Sequence, residues 1–398
     1  LQRASLAREI DRVIPEFARV SYPDWDSLLA RFWNEARPGA VLVLDEFPAL
    51  VSAARELPSL LQKRVDREGF RGIHLVLSGS SQRMMQGLVL DRTAPLFGRA
   101  TEILKVAPLP AGWIQPALRL RDPIEAVRAF AVWGGIPRYW ELAADFPDLE
   151  TALDQLALSP LGVLYEEPTT LLLDDTRDTA QAASLLSLIG QGCHRLSEIA
   201  GRLQKPATSL SRPLQRLIDL DLVRRDVPFG VSPRSAKRTR YQIADPFLRF
   251  WFRFVEPNRS RLEAGRTAAV AKDVKRDFSH HVSSLWEELA RASVPRREIL
   301  AERFGPASRW WGAGVDKKPM ELDIVAESED GKSLLLGEVE WSDDIDAVRL
   351  VAELRHKAEN LPFGEGRDVR LAMWTKRTAR TSGDVKAFSP RSVLEVLR

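Results

Sequence analysis

The sequence contains 398 residues, of which 44% are hydrophobic and 28% are charged, and its formal net charge is only +3. This composition excludes a disordered chain, and the small net charge excludes nucleic-acid binding by general basicity, so that such binding would need local clusters of cations. The single cysteine, Cys193, excludes an intramolecular disulfide and a cysteine-only metal site, and it fits a reducing cytoplasm. No apolar run approaches 18 residues, which predicts a protein without a membrane span.

Residues 1–40 predict two helices joined by a loop at Tyr22-Pro23. The first residues, LQRASLAREIDRVI, already place apolar side chains at helical spacing, and the sequence opens on Leu1 rather than Met. We therefore expect that a further segment precedes this one in the natural protein.

A run of four aliphatic residues, 41–44, ends in the adjacent acids Asp45 and Glu46. Because only a strand that is covered on both faces is apolar at every position, the run predicts a buried parallel strand. The carboxyl end of such a strand borders the ligand crevice of an open α/β sheet, where Asp45 would hold Mg²⁺ on a phosphate and Glu46 would orient a water. This is the Walker B pattern. The alternative is a core strand that ends in two solvated acids.

A second apolar run, 73–77, follows a predicted helix over 52–68 and ends in small polar residues at 78–81. Strand, helix and strand in this order predict a parallel α/β unit, although the small polar residues are equally typical of a helix cap. Arg99 follows on a glycine turn. It is either an arginine finger near a phosphate or a surface residue, and residues 101–109 predict one more strand.

Four segments in this order resemble an AAA-like ATPase family that is abundant in archaea and related to the STAND ATPases: LVLDEF, LVLSGSS, PLFGR and GGIPRYW. The resemblance covers nearly the whole chain. It implies a P-loop ATPase core, a winged helix and a carboxyl-terminal DUF234 domain that is similar to PD-(D/E)XK nucleases. It also implies ATP and Mg²⁺ as cofactors, with Asp45, Glu46 and Arg99 in catalytic positions and Ser80 or Ser81 as a sensor on the γ-phosphate side.

One part of the family pattern is missing. A GxxxxGK[ST] loop, whose backbone N–H groups and lysine supply much of the nucleotide affinity, does not occur in these residues. The chain as printed is therefore expected to bind ATP weakly or not at all. Either it is truncated at its amino end, as the missing Met favours, or it is a degenerate homologue.

The fold class expected from these segments is α/β. The expected domains are an N-terminally incomplete P-loop NTPase-like parallel sheet with helices over 1–110, a helical lid-like subdomain over 111–177, a winged helix over 178–262, and a restriction-endonuclease-like α/β domain over 263–398.

Residues 178–256 predict three short helices and then a basic hairpin, which is the layout of a helix-turn-helix with a wing. The third helix would enter the major groove of DNA, and the hairpin would touch phosphates. The residues predicted to contact DNA are Ser209, Arg212 and Gln215 on the helix, with Thr208 and Ser211 beside them, and Arg234, Lys237, Arg238 and Arg240 on the hairpin. The alternative is a module that packs against other domains. Pro213 is expected to kink the third helix unless that helix begins later.

An aromatic run at 247–254 follows the hairpin. It resembles a platform for stacking nucleic-acid bases, but one helical face rich in Phe and Trp is more typical of an interdomain core. The family resemblance also favours the core.

From residue 265 onward the pattern predicts helix, strand, strand, helix and strand. Asp323 on one strand and Glu338 on its hairpin partner match the carboxylates that hold Mg²⁺ in PD-(D/E)XK nucleases, and Glu287 or Glu288 would add a ligand. Glu340 occupies the position of the nuclease lysine, which removes the cation that would stabilise developing charge. We therefore expect metal binding in preference to nuclease activity, and the alternative is a scaffold domain.

Two functions remain. The first is an ATPase-type switch coupled to a DNA-binding winged helix and an inactive nuclease-like domain. The second is a non-enzymatic scaffold that binds DNA or protein and keeps the ATPase architecture. If Arg99 is a finger, it would act across a subunit interface, which requires a homo-oligomeric ring or dimer.

Overall fold

The computed structural model of the chain describes residues 1–68, 72–175, 178–232, 238–379 and 384–398. Two of the residues predicted to contact DNA, Arg234 and Lys237, lie outside these ranges. The chain divides into two compact units, Leu1–Val106 with Leu173–Arg177 and Ala107–Leu172 with Asp178–Arg398. Within the described ranges, no helix combines the length and the apolar character that a membrane span needs.

The first unit consists of helices around one parallel pair of strands. Its helices are α1 (Gln2–Asp11), α2 (Trp25–Glu35), α3 (Phe47–Ala53), α4 (Leu57–Glu68) and α5 (Gln82–Met85), and its strands are β1 (Val41–Leu44) and β2 (His74–Leu77). A π-helix, Gln86–Leu90, continues α5. The single helix predicted over 52–68 is therefore two helices, because Pro58 lies in the first turn of α4, where its missing N–H is tolerated.

Helix α2 supplies the centre of the core of this unit. The Asp24 side chain accepts a hydrogen bond at 2.7 Å from the backbone N–H of Ser27 and so caps the first turn. The buried side chains fall at positions 25, 28, 29, 32 and 33, which is the spacing of one helical face. They join Leu42 and Leu44 of β1 in one hydrophobic cluster. The helix predicted here is confirmed.

Strands β1 and β2 pair in parallel, as predicted, with Leu44 opposite Leu77. Burial alternates along β1, since Leu42 and Leu44 are buried whereas Val41 and Val43 are 57% and 53% exposed. The expectation that this strand is covered on both faces is therefore wrong for the described part of the chain. The core of this unit covers one face of the pair, so that an all-apolar run identifies the strand but not the number of covered faces.

The strand predicted over 101–109 is absent, because the described residues contain no strand between β2 and Val223. Two side chains of this segment, Leu104 and Val106, are 83% and 92% exposed. Alternating apolar residues favour a strand only when a neighbouring strand offers backbone partners. Here the described segment runs without one.

The second unit contains the remaining helices and three separate sheets. Its helices are α6 (Ile114–Ala117), α7 (Pro123–Trp133), α8 (Pro137–Ala143), α9 (Leu149–Leu156), α10 (Glu167–Asp175, of which the last residues group with the first unit), α11 (Thr179–Gly190), α12 (Leu196–Leu203), α13 (Ala207–Asp219), α14 (Pro246–Phe250), α15 (Arg259–Glu263), α16 (Thr267–Ser293), α17 (Ala347–Glu359) and α18 (Pro390–Val396). Its strands are β3 (Val223–Asp226), β4 (Arg240–Ile243), β5 (Glu298–Ile299), β6 (Glu302–Arg303), β7 (Ser308–Ala313), β8 (Pro319–Glu327), β9 (Ser333–Glu340), β10 (Asp368–Thr375) and β11 (Val385–Phe388).

The largest sheet has five strands in the order β11-β10-β9-β8-β7. Strand β8 is antiparallel to both β7 and β9, whereas β10 is parallel to both β9 and β11. The two smaller sheets are the antiparallel pairs β3-β4 and β5-β6. The strands predicted at 321–326 and 334–341 are therefore present as the neighbours β8 and β9. Their observed ends differ from the predicted ends by one or two residues.

A glycine pair, Gly134 and Gly135, separates α7 from α8. Gly134 has φ +57°, which favours glycine, and a side chain at Gly135 would place its Cβ 2.3 Å from the carbonyl oxygen of Leu109. The turn therefore needs glycine at both positions, at the first for its backbone conformation and at the second for space.

The elements predicted over 178–256 are present as α11, α12, α13 and the hairpin β3-β4. Helix α13 runs through Pro213 without interruption and buries Leu210, Leu214 and Leu217. Proline removes the hydrogen bond to the carbonyl four residues earlier, which belongs to the exposed Ser209 and so faces a solvated surface. The helix therefore continues past Pro213, and the expected kink stays a prediction.

The aromatic run forms part of the core of this unit. The side chains of Phe247, Phe250 and Phe252 are fully buried, and Trp251 donates from Nε1 to the carbonyl of Tyr165 at 2.8 Å. These rings are unavailable to stack on nucleic-acid bases, and the prediction of a core role is confirmed.

Candidate functional sites

The carboxyl ends of β1 and β2 carry the polar residues predicted to form a nucleotide site. The two strands are parallel and in register, so that Asp45 and Ser78 follow them at the same edge. The Ser78 N–H donates to the carbonyl of Leu44 at 3.2 Å, and the Phe47 N–H donates to the carbonyl of Ser78 at 2.8 Å. These backbone bonds continue the pairing beyond the strands and hold the two chain segments together.

Each acid accepts a hydrogen bond from a serine of the neighbouring segment. Ser78 donates from Oγ to Asp45 Oδ1 at 2.5 Å, and Ser80 donates from Oγ to Glu46 Oε2 at 3.1 Å. The hydroxyl of Ser78 and then the N–H of Glu46 lower the pKa of Asp45, so that its carboxylate is ionised at neutral pH. We call these four residues the acid edge.

Glu46 connects β1 to α3 through an unusual backbone conformation. Its φ of 47° lies in the left-handed region, which costs a residue other than glycine on the order of 1–2 kcal/mol. Phe47, the first residue of α3, is fully buried in the core of this unit and so fixes the position of the turn. Such strain persists where the surroundings fix it, and it is common at functional sites.

The other two residues predicted near the nucleotide have different surroundings. Ser81 is buried, and its Oγ accepts a hydrogen bond at 3.3 Å from the N–H of Met84 in α5, which is the role of a helix cap. Arg99 donates from Nε and Nη2 to the two carboxylate oxygens of Asp66 on α4, both at 2.8 Å. The structure thus brings the acid edge together, whereas it ties Arg99 to α4.

A cavity of about 390 Å³ lies beside α3, which begins directly after the acid edge. It separates α3 from α5 and the π-helix and is lined by Pro48, Val51, Ser52, Arg55, Met84, Gly87 and Leu88.

The acid edge offers the hard oxygen ligands that Mg²⁺ prefers. The ionised carboxylate of Asp45 and the hydroxyl of Ser78 fit that cation. The sequence contains no lysine-bearing phosphate loop, so that the acid edge offers oxygen ligands for a cation but no cradle for phosphates.

A second group of acids lies in the other unit, between α16, the five-stranded sheet and α17. Ile324 of β8 pairs with Gly337 of β9, which brings together the next residues along these antiparallel strands, Asp323 and Glu338. Asp323 accepts through Oδ2 from the N–H of Val339 at 3.1 Å. We call Asp323, Glu338 and the nearby Glu287 of α16 the carboxylate cluster.

Each member of the carboxylate cluster has a cation beside it. Lys357 of α17 places Nζ 2.7 Å from Glu338 Oε1. Arg309 of β7 places Nη2 3.2 Å from Glu287 Oε2 and 4.0 Å from Asp323 Oδ1. In the sequence motif, Glu340 takes the position where a lysine is expected, and its side chain is exposed. The motif gives no signal that Lys357, 19 residues after Glu338, lies beside the carboxylate of Glu338.

Burial dominates the protonation of this cluster. Burial first, and then the charge of Asp323, raise the pKa values of Glu287 and Glu338 to about 7, and burial also raises the pKa of Asp323. No set of three or more His, Cys, Asp or Glu side chains in the described ranges is arranged to hold a metal ion. With Arg309 and Lys357 in place, the cluster does not fit Mg²⁺, because its carboxylates already have cationic partners.

Glu288, the other acid predicted as a metal ligand, is engaged elsewhere. It forms ion pairs with Arg224 of β3 and with Arg249 of α14, whose Nη1 lies 2.6 Å from its Oε1. Burial alone would raise the pKa of Glu288, but the charges of Arg224 and Arg249 outweigh burial and hold it at about 2. Glu288 therefore links the hairpin, α14 and α16.

The outer face of α13 carries the helix residues that are predicted to contact DNA. The predicted residues on this helix, Thr208, Ser209, Ser211, Arg212 and Gln215, are all exposed. Gln215 donates from Nε2 to Asp219 Oδ1 at 2.8 Å.

The hairpin β3-β4 packs against the edge of the five-stranded sheet. Arg240 places Nη1 3.0 Å from Glu321 Oε1 of β8, and its guanidinium lies 4.5 Å from the ring centre of Trp311 in β7. The N–H of Phe229 donates to the carbonyl of Arg309 at 2.8 Å. The Arg238 guanidinium lies beside Gly312 of β7. Sequence spacing gives no signal for these contacts, since the partners are some 70 to 80 positions apart.

Comparison with known proteins gives one matching family model. The family, DUF234, is described as archaea bacterial proteins of unknown function, and it matches residues 251–355. Among curated proteins, the chain is 28% identical over 369 residues to the uncharacterized protein MJECL04 of Methanocaldococcus jannaschii, an alignment that spans 87% of this chain and 78% of that relative. Among solved structures, the Aeropyrum pernix ORC1 protein in complex with DNA aligns with 65% of this chain and 75% of its own, at 19% identity and a TM-score of 0.23, which does not establish a common fold. The chain is thus similar to an uncharacterized archaeal protein over most of its length and to the DUF234 family over residues 251–355.

Proposed function

We propose that the acid edge is the cation and water side of an ATP-hydrolysing centre, and that the protein is an ATPase-type switch coupled to a DNA-binding winged helix. The observation that carries this proposal is the pair of hydrogen bonds that Ser78 and Ser80, after β2, donate to Asp45 and Glu46, after the parallel strand β1. This edge is where an open parallel sheet binds its ligand.

Each acid has a separate role in the proposed centre. Asp45 is ionised and oriented by Ser78, so that it is ready to ligate Mg²⁺, which would neutralise the phosphate oxygens. Within the described part of the chain, Glu46 accepts from Ser80 through Oε2 and from no donor through Oε1, so that Oε1 could accept a hydrogen bond from an attacking water. Arg99 would contribute only after it leaves Asp66, in an assembled ring or dimer.

The proposed architecture follows the four sequence segments. Residues 1–110 would be the ATPase core, 111–177 a helical lid, 178–262 the winged helix and 263–398 a PD-(D/E)XK-type domain. The order of three helices and an antiparallel hairpin supports the winged helix. In the last domain, the ion pairs of Lys357 and Arg309 favour a scaffold role, because Mg²⁺ at Asp323 and Glu338 would have to displace both cations.

The competing function is a non-enzymatic scaffold that keeps the same architecture. The absence of a phosphate loop from the printed sequence favours it, whereas the hydrogen-bonded acids favour the ATPase. The two functions differ in whether the natural protein binds and hydrolyses ATP.

The test is equilibrium binding of a fluorescent ATP analogue with Mg²⁺, on the printed chain and on a version extended upstream to the natural start codon. We expect the extended protein to bind and to hydrolyse ATP, Glu46→Gln to abolish turnover while it keeps binding, and Asp45→Asn to weaken the Mg²⁺ dependence of binding. Glu56→Gln, which changes an exposed acid of the same unit, serves as the matched control. Failure of both versions to bind would leave the scaffold function.

A further inference from the structure

The second unit has an exposed cationic surface on α12, α13 and the turn between them. Its cations are Arg202 and Lys205, near the turn, and Arg212 and Arg216, one helical turn apart on α13. All four are exposed, and none forms an ion pair within the described ranges. The inner side of α13 buries its leucines, so that the outer side is fixed in orientation.

The two acids of this surface, Glu198 and Asp219, already accept hydrogen bonds from neighbouring residues. Glu198 accepts hydrogen bonds from the N–H groups of His194 and Arg195 at 3.2 and 3.1 Å, where it caps α12. Asp219 accepts from Gln215. Four cations against two acids in residues 196–219 give this stretch a local charge of +2, in a chain whose total is only +3. Such a local concentration of unpaired cations is the electrostatic signature of a polyanion-binding face.

Two cations of the hairpin are less available. Arg240 is shared between Glu321 and the face of Trp311. Arg224 at the start of the hairpin is buried against Glu288. These contacts fasten the hairpin to the sheet and to α16, and they turn Arg224 and Arg240 toward protein.

We propose that the protein binds double-stranded DNA through α12, the following turn and α13, and that Arg224 and Arg240 fasten the hairpin to the rest of its unit instead of contacting phosphates. This inference rests on the DNA association proposed above. Helix α13 is 13 residues long, about 20 Å, and its exposed side chains are short or flexible and polar. A single helix of this kind fits the major groove of B-DNA, which is about 12 Å wide.

The two pairs of cations have different positions on this surface and hence different roles. Arg202 and Lys205 flank the amino end of α13 and would contact phosphates of the backbone. Arg212 and Arg216 lie on α13 itself, with Ser209 one turn earlier, and would face base edges.

The experiment measures binding of the full chain to a labelled 20-base-pair duplex by fluorescence anisotropy, at several salt concentrations and without nucleotide. Replacing Arg202 and Lys205 together by Gln is expected to reduce the slope of log affinity against log salt by about 2, because each lost phosphate contact removes about 0.9. Replacing Arg212 and Arg216 by Gln is expected to lower affinity about 10-fold to 100-fold. The matched control replaces Arg119 and Arg121, two exposed arginines outside this surface, and is expected to leave the slope unchanged.

A variant of the hairpin distinguishes the proposed DNA-binding surface from DNA association in general. Arg240→Gln is expected to leave the salt slope unchanged, with its fold checked by circular dichroism. A slope that falls in the hairpin variant but not in the helix variants would overturn the assignment of the surface and keep the DNA association. Absence of duplex binding in the wild type at 50 mM salt, or equal binding to polyglutamate, would overturn both the assignment of the surface and the DNA association.

Discussion

Lys357 of α17 places Nζ 2.7 Å from Oε1 of Glu338 on β9, and this ion pair joins the helix to the sheet. Both side chains are largely buried. Burial and the charge of Asp323 raise the pKa of Glu338 to about 7 even with the ammonium beside it. Glu338 is therefore partly protonated in the folded protein near neutral pH, although it is ionised in the unfolded chain.

The first prediction is that Glu338 makes stability depend on pH. The pKa of Glu338 is raised on folding from 4.5 to about 7. The stability that the protonated side chain contributes is therefore fully present below about pH 4.5 and is lost as the pH rises through about 7. Glu338→Gln, which cannot ionise, should therefore gain stability relative to the wild type over this range, by up to about 3 kcal/mol. Urea unfolding of both proteins at pH 4.5, 5.5, 6.5 and 7.5 measures the difference. A difference that stays constant would show that Glu338 is not the titrating group.

The second prediction concerns the opposite behaviour of Glu288. The charges of Arg224 and Arg249 overcome burial and hold its pKa at about 2, so its contribution to stability is present above about pH 4.5 and is lost as the pH falls toward 2. Glu288→Gln should destabilise the protein by about 3–5 kcal/mol at pH 7, because two buried guanidinium groups lose their counter-ion.

The control for Glu288 is an exposed ion pair of the same unit. Glu141 pairs with Arg138 at 3.1 Å, and both side chains are well exposed. Glu141→Gln should cost less than about 1 kcal/mol at any pH in this range. Equal effects of the two substitutions in chemical unfolding would mean that Glu288 does not hold the hairpin, α14 and α16 together.

The third prediction tests the turn between α7 and α8. Gly135→Ala would place a Cβ 2.3 Å from the carbonyl oxygen of Leu109, a backbone atom that cannot rotate away. We expect a loss of about 1–3 kcal/mol, as for other overpacked sites. Gly201→Ala in α12 meets no atom within 4 Å and should stabilise by up to about 1 kcal/mol, since alanine favours the helix. Thermal unfolding of the two variants should move in opposite directions.

Local sequence signals predicted the elements whose determinants are local. The apolar positions of α2 recur at helical spacing, and the aliphatic runs of β1 and β2 end in polar residues as parallel strands do. The aromatic run from Phe247 was assigned correctly to a core, because so many rings on one stretch exceed what a surface exposes. The two strands that carry Asp323 and Glu338 were also found, since each is a hydrophobic run bounded by polar turns.

Contacts between distant segments were not predictable in this way. Glu321 lies 81 positions from Arg240, and the ion pair between them depends on how the hairpin meets the sheet. Lys357 reaches Glu338 from a helix on another part of the fold, outside any motif spacing. The exposure of Val43 was unpredictable for the same reason, since it depends on whether a distant segment covers the strand. An apolar side chain does not by itself reveal whether a second layer covers it.

The last prediction concerns Arg99, whose two hydrogen bonds to Asp66 hold it on α4. If Arg99 is an arginine finger, it must exchange Asp66 for a phosphate of a neighbouring subunit, so that the two anions compete for one guanidinium. In the extended protein, Arg99→Gln should then lower ATP turnover by at least about 10³-fold, whereas Asp66→Asn, which frees the arginine, should not lower it. Steady-state phosphate release by the two variants, with nucleotide binding measured in parallel, separates the alternatives. Equal losses of turnover in both would identify the pair as a structural contact that supports α4, and Arg99 would have no part in the chemistry.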